Sequence, residues 1–122
     1  MEPKLYKKAD GQDFKIDGGT SGVIYPPHPK GDHTIARLKM EGVYPVLGYS
    51  INERCSETIV MIKGKFKIRA NDNVAEIGEG DVFVITPGTK YRVEGNGEAL
   101  DVITPKWDKG QNKVVNDPDF RI

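Results

Sequence analysis

The sequence is poor in the residues from which disulfides and transition-metal sites are built. Its 122 residues include one cysteine and two histidines. A single cysteine excludes both an internal disulfide and a cysteine-rich zinc site. Two histidines leave little imidazole for a nickel, iron or copper centre, since these ions favour imidazole ligands.

Long apolar runs and net charge are also lacking. No run approaches the roughly 20 apolar residues that span a bilayer, and the segment 1–5 has no apolar core of the kind that a secretory signal needs. Eighteen basic residues balance eighteen acidic ones, so the chain offers no electrostatic footprint for nucleic acid or an anionic membrane. We therefore expect a cytoplasmic protein that binds neither.

Helical periodicity is missing, whereas turn-forming residues are abundant. No ten-residue window repeats its apolar residues with a helical period, and the chain has 14 glycines and 8 prolines. Short alternating runs between turn signals are typical of a sandwich or barrel. We predict one all-β domain over residues 1–122, with a barrel core at about 33–105, an irregular N-terminal arm containing at most one short strand, and an extended C-terminal tail on the barrel or on a partner subunit.

The strand predictions follow the alternation of apolar and polar residues. Gly64 is expected to turn one strand back on the next, and 95–97 is expected to be a second hairpin turn. The run 82–85 is β-branched and aromatic throughout, so we expect a strand that is buried on both faces. The predicted strands are 34–40, 46–51, 57–63, 65–70, 74–77, 82–85, 91–94 and 99–104.

Two motifs resemble those of the cupins, a family of small double-stranded β-helix (jelly-roll) barrels. Gly80 and Gly88 match the glycines of the second cupin motif, and Tyr91 stands where that motif usually has a metal-binding histidine. Glu57 and Gly64 match the end of the first motif. The resemblance covers roughly residues 33–105, and it implies a cupin barrel that pairs as a homodimer.

The resemblance also points to a degenerate metal site. It makes Glu57 the equivalent of the carboxylate ligand of the family. The two upstream histidine positions fall on Ser50 and Asn52 in one alignment, or on Ile51 and Glu53 in the other, and neither alignment supplies a histidine. Tyrosine is normally protonated at neutral pH, so these residues favour a site without a metal cofactor.

We predict that Glu57, Tyr91, Asn52 and Ser50 form a binding site for a small polar molecule inside the barrel. Strand parity directs Tyr91 inward. A small-molecule binding or sensing protein is the first interpretation of this set. The alternative is an isomerase- or epimerase-like enzyme acting on a sugar or small carbonyl compound, in which Tyr91 donates a proton and Glu57 accepts one.

Two further interpretations of the same residues stay open. Glu57 could serve only structure, because a buried carboxylate needs a hydrogen-bonding partner such as Tyr91. Alternatively, Glu57, Asn52 and Glu53 could form an oxygen-rich site for a divalent ion such as manganese or calcium.

The remaining chemically interesting residues have simpler expected roles. His28 and His33 could clamp a metal together with Asp32 or reach the barrel mouth, although loop histidines are more often exposed to solvent. Cys55 is expected to be a small buried hydrophobic residue, because a reactive thiolate needs a neighbouring positive charge. Trp107 could stack on a sugar ring or cover one end of the barrel.

Overall fold

The computed structural model describes residues 2–122, and these residues form an all-β protein, as predicted. The helical segments in this range are two single 3-10 turns, at Lys8–Asp10 and Lys109–Gln111. Neither has the length and apolar character that a membrane-spanning helix requires. The strands are β1 (Gln12–Ile16), β2 (Thr20–Ile24), β3 (Thr34–Tyr44), β4 (Tyr49–Asn52), β5 (Ser56–Ala70), β6 (Asn73–Gly78), β7 (Val82–Ile85), β8 (Tyr91–Thr104) and β9 (Asn112–Val115).

Strand β8 is the centre of the sheet, and every pairing is antiparallel. It pairs with β3 along one edge and with β5 along the other. Beyond β3 come β2 and then β1, while β6 and β7 pair with the far edge of β5. Strand β4 joins β8 at the pair Ser50–Tyr91, and β9 pairs with β4.

Strands β5 and β8 are long and continuous, so the two hairpins predicted at Gly64 and at 95–97 are wrong. The strands pair from Ser56–Thr104 to Ala70–Tyr91, with a bulge between Met61 and Lys63. The glycines permit a bend of this two-stranded ribbon instead of a turn. Gly64 has φ +79°, and a Cβ atom there would collide with the carbonyl oxygen of Asn96 on the partner strand.

The bent ribbon closes the barrel. Glu57 lies at one end of the β5–β8 ladder and Tyr91 at the other, yet their side chains are in hydrogen-bonding contact. Two ends of one ladder meet only if the ribbon folds back on itself. The result is the predicted double-stranded β-helix of the jelly-roll type.

The core fills the space between the two halves of the ribbon. Phe66 and Ile68 point inward, and Lys65 and Lys67 point outward, as the alternation predicts. The buried core cluster consists of Met40, Ile59, Met61, Phe66, Ile68, Ile77, Ile85, Tyr91, Val93 and Ala99.

Strand β7 differs from its prediction, because it is buried on one face only. Ile85 is 1% exposed, but Val82 and Val84 are 56% and 53% exposed. The strand pairs with β5 along one edge, and its outer face is open. Its uniformly apolar sequence therefore leaves valines on the surface.

The predicted strand at 46–51 is shifted, since β4 begins only at Tyr49. The guanidinium group of Arg92 donates hydrogen bonds to the carbonyl oxygens of Pro45, Val46 and Gly48. These carbonyls are bound by a side chain, which holds 45–48 as a turn.

Ordered structure extends beyond the predicted barrel core on both sides. The N-terminal arm was expected to be irregular, but it contains the hairpin β1–β2, whose turn uses Gly18 and Gly19 at positive φ. The C-terminal tail lies on the barrel, which is one of the two expected positions. There β9 pairs with β4, and Phe120 packs on the ring of Tyr49 at a centroid distance of 5.1 Å.

Candidate functional site

Glu57 is a buried carboxylate at the start of β5. Its side chain is directed into the barrel, and the residue is 8% exposed. The hydroxyl of Tyr91 donates a hydrogen bond to Oε2 at 2.8 Å, and Nδ2 of Asn52 donates to the same oxygen at 2.6 Å. Tyr91 and Asn52, two of the four residues predicted for the site, therefore both donate hydrogen bonds to the carboxylate of a third, Glu57.

Tyr91 is a neutral donor in this arrangement. Burial raises the pKa of Tyr91 well above its usual value, and the charge of Glu57 raises it further. The phenol therefore keeps its proton across the physiological range, so it can donate a hydrogen bond but carries no charge.

Asp101 is a second buried carboxyl group, which the sequence analysis missed. It is 4% exposed, and no donor among the described residues reaches its Oδ1. Burial raises the pKa of Asp101 well above its usual value, and the nearby charge of Glu57 raises it further. Asp101 therefore favours its neutral, protonated form. The sequence did carry a signal, because Asp101 interrupts the inward-facing series of Ala99 and Ile103 in β8.

Asn52 and Ser50 face the barrel interior on β4, where both are buried. Of the two alignments considered for the upstream motif, the structure selects this pair, because Glu53 is exposed and forms an ion pair with Lys113 at 2.6 Å. Glu53 thus points away from Glu57. We call Ser50, Asn52, Glu57, Tyr91 and Asp101 the carboxylate site.

The C-terminal tail supplies two more residues, Gln111 and Asn112, whose role in the site could not be predicted from the sequence. Nε2 of Gln111 and Nδ2 of Asn112 donate to Oδ1 of Asn52 at 3.0 and 2.9 Å. Nδ2 of Asn112 also donates to Oγ of Ser50 at 2.9 Å. These bonds join residues about 60 positions apart, and no local pattern in a polar tail predicts them.

Tyr44 completes the wall next to Tyr91. Its hydroxyl lies 3.2 Å from Oγ of Ser50, and the two tyrosine rings are tilted at a centroid distance of 6.3 Å. Burial raises the pKa of Tyr44, so this phenol is also neutral. The carboxylate site therefore has hydroxyl and amide donors around one negative charge, and none of the ion pairs within residues 2–122 includes Glu57 or Asp101.

The histidines are engaged away from the carboxylate site. Nε2 of His28 lies 2.6 Å from the carbonyl oxygen of Glu2, and His33 contacts the exposed carboxylate of Asp32. Both rings line a cavity of about 360 Å³ beside the N-terminal arm. In the described part of the chain, no group of three or more histidine, cysteine, aspartate or glutamate side chains is placed to hold a metal ion.

Cys55 and Trp107 lie where the tail leaves the barrel. Cys55 is fully buried, and burial raises the pKa of its thiol, which matches the expected inert role. Trp107 is half-buried, and its backbone N–H donates to Oγ1 of Thr34 at the beginning of β3.

Comparisons with known proteins show the fold alone. Protein-family models gave no match, and a search of curated proteins found no significant relative. Among solved structures, a variant of Streptomyces PAC13 with uridine matches at a TM-score of 0.83 and 19% identity, over 95% of this chain and 93% of that chain. Another structure presents Pac13 as a nucleoside dehydratase.

Two further structures agree. KdgF from Halomonas sp. matches at a TM-score of 0.72 and 16% identity, over 89% of this chain and 99% of that chain. An RmlC-like cupin from Shewanella frigidimarina matches at a TM-score of 0.68 and 15% identity, over 85% and 92%. The predicted cupin fold is therefore confirmed.

Proposed function

We propose that the protein binds a small polyhydroxylated carbonyl compound in the barrel and removes water from it by proton transfer. The observation that carries this proposal is a pair of buried carboxyl groups, Glu57 and Asp101, at diagonally adjacent inward positions of β5 and β8. Glu57 is the base, since it carries the negative charge, and Asp101 is the acid, since it carries the proton.

The reaction balances within this pair. Glu57 accepts the proton from a carbon atom next to the carbonyl group of the substrate. The bond between the next carbon and its hydroxyl group breaks, and the proton of Asp101 leaves with the hydroxyl as water. The product is an unsaturated carbonyl compound, and transfer of the new proton from Glu57 to Asp101 restores the starting state.

Tyr91 contributes a neutral donor to the same step. Enolisation places negative charge on the carbonyl oxygen of the substrate, and a buried hydroxyl donor stabilises such charge. The phenol that contacts Glu57 in the free protein can turn its hydrogen bond to that oxygen. Similarity to a nucleoside dehydratase over nearly the whole chain supports a nucleoside- or sugar-like substrate.

The experiment measures solvent exchange as well as turnover. Hydroxy-aldehydes and hydroxy-ketones derived from pentoses and nucleosides are incubated with the protein in D₂O and followed by NMR and mass spectrometry. We expect deuterium at the carbon next to the carbonyl group and loss of water from at least one compound. Tight binding without either signal would favour the binding or sensing protein instead.

We also propose that the protein forms a homodimer through the outer face of the sheet formed by β3, β8, β5 and β7. Cross-strand neighbours on β3, β8, β5 and β7 present an apolar surface, which is bordered on β3 by the exposed Arg37 opposite Leu100. A second copy is the partner that this face fits, because it presents the same apolar surface and the contact would bury exposed valines. This outer apolar face consists of Ile35, Val60, Val82, Val84, Leu100 and Val102.

A further inference from the structure

We infer that Gln111 and Asn112 of the C-terminal tail are positioning residues of the carboxylate site, which act by fixing the amide orientation of Asn52. This inference rests on the proposed function for its consequence in catalysis. Its structural content can be measured without any substrate.

Two backbone groups beside Gln111 have an unambiguous hydrogen-bonding role. The N–H groups of Arg54 and Cys55 both donate to the side chain of Gln111, at 3.1 and 3.0 Å. A backbone N–H is always a donor, so the atom of Gln111 that receives both bonds must be its oxygen. The NH₂ group of Gln111 therefore points the other way, toward Asn52.

The same polarity passes through Asn52. Because Gln111 donates an N–H group, the side-chain atom of Asn52 that accepts this bond must be its oxygen. The same oxygen also accepts a bond from Asn112. The remaining NH₂ group of Asn52 is thereby directed at Oε2 of Glu57. Two backbone amides thus determine, through two side-chain amides, that Glu57 meets a donor and not an oxygen.

Asn112 extends this donor–acceptor polarity through Ser50 to Tyr44 and Tyr91. Its NH₂ group gives one bond to Asn52 and one to Oγ of Ser50. Since Ser50 accepts that bond, its own hydroxyl proton is available to Tyr44 or Tyr91. A reversed amide at Asn52 would set its oxygen against the carboxylate of Glu57 and displace the base.

The test uses Gln111→Glu and Asn112→Asp, singly and together. A carboxylate at 111 still accepts from the N–H groups of Arg54 and Cys55, but it offers no donor to Asn52. Asn116→Asp is the matched control for each single replacement, because Asn116 is exposed in the same tail and its replacement adds the same single charge.

The first measurement is the ¹H–¹⁵N spectrum of the Asn52 side-chain amide. In the wild-type protein we expect one proton that is shifted downfield and slow to exchange with solvent, and Glu57→Gln should move it. In the double tail variant the shift and the protection should be lost, whereas Asn116→Asp should retain both. An unchanged Asn52 signal in a folded double variant would overturn the inference.

The second measurement is the rate of deuterium incorporation into the substrate. We expect at least a tenfold fall for the double tail variant and less than a twofold change for Asn116→Asp. If the wild-type protein shows no incorporation, the proposed function fails while the amide spectrum still decides the inference. If the double variant keeps the full rate although its Asn52 signal has moved, Gln111 and Asn112 do not act as positioning residues in catalysis.

Discussion

Glu57 is held as an anion by neutral groups alone. The donors around it are a phenol and an amide. An anion without a cationic partner stays available to accept a proton, whereas an ion pair with lysine or arginine would stabilise the charge and weaken the base.

Replacement of Glu57 by glutamine tests this role at the residue scale. Glutamine keeps the size of the side chain but accepts no proton from carbon. We expect the dehydration rate to fall at least 100-fold, in line with the usual contribution of general base catalysis, with a small change in melting temperature. Loss of folding without loss of rate per folded molecule would instead assign Glu57 a structural role.

Replacement of Asp101 by asparagine tests the protonation of Asp101 through stability. The pKa of Asp101 is raised in the folded protein, while the unfolded chain ionises near its ordinary 3.8. Between these values the folded state holds more protons, so the stability that Asp101 provides is complete below about pH 4 and declines as pH rises toward the raised pKa. The decline is at most about 1.4 kcal/mol per pH unit.

Asp101→Asn should remove this dependence. We expect its melting temperature to exceed that of the wild type by an amount that grows as pH rises above about 4 toward the raised pKa of Asp101, measured by thermal scans in matched buffers. Asp13→Asn, at an exposed position, is the control. A difference that stays constant with pH would contradict a buried, protonated Asp101.

Sequence reasoning identified Glu57, Tyr91, Asn52 and Ser50 because family motifs and strand parity are local properties. The structure brings all four together. Asp101 was missed because its apolar neighbours were used to predict the strand and its own inward direction was not followed.

At the scale of elements, the bend of the β5–β8 ribbon determines the shape of the barrel. Gly64, Gly95 and Gly97 lie where the backbones approach each other most closely, and a Cβ atom at any of them would meet a carbonyl oxygen of the partner strand. Glycine in a sequence signals both turns and close approaches. The prediction of turns at these glycines is wrong for this reason, and it divides each long strand into two.

Gly64→Ala measures the cost of this close approach, and Gly80→Ala is its matched control. Both glycines have positive φ, +79° and +87°, but only Gly64 has backbone atoms in the way of a Cβ. Gly80→Ala should cost about 1–2 kcal/mol in free energy of unfolding, from backbone conformation alone. Gly64→Ala should cost clearly more in urea titrations. Equal losses would show that the ribbon relaxes without penalty.

The C-terminal tail is the other element whose position could be predicted only in part from the sequence. Its position on the barrel was one of two expectations, but its contribution to the site was not foreseen. A polar segment after a proline carries no local sign that Gln111 will be buried, because its partners lie on β4 and in the loop that follows.

At the scale of the whole molecule, the outer apolar face leads to a test of the homodimer. Val84→Lys places a charge on that face, on the strand β7, and should convert the dimer to a monomer in analytical ultracentrifugation. Val74→Lys is the control, because Val74 is equally exposed, at 55%, but lies on β6 in the other half of the ribbon. A wild-type protein that sediments as a monomer at high concentration would contradict the proposal.

The meeting of the two ladder ends also has a consequence for how the protein folds. The hydrogen bonds that Glu57 and Asn52 receive from Tyr91 and from the tail span 34 to 60 residues of sequence, and contacts of this range are late and slow to form. Refolding should therefore restore β-sheet signal before it restores activity. On the ribosome, the site can assemble only after residue 112 has emerged.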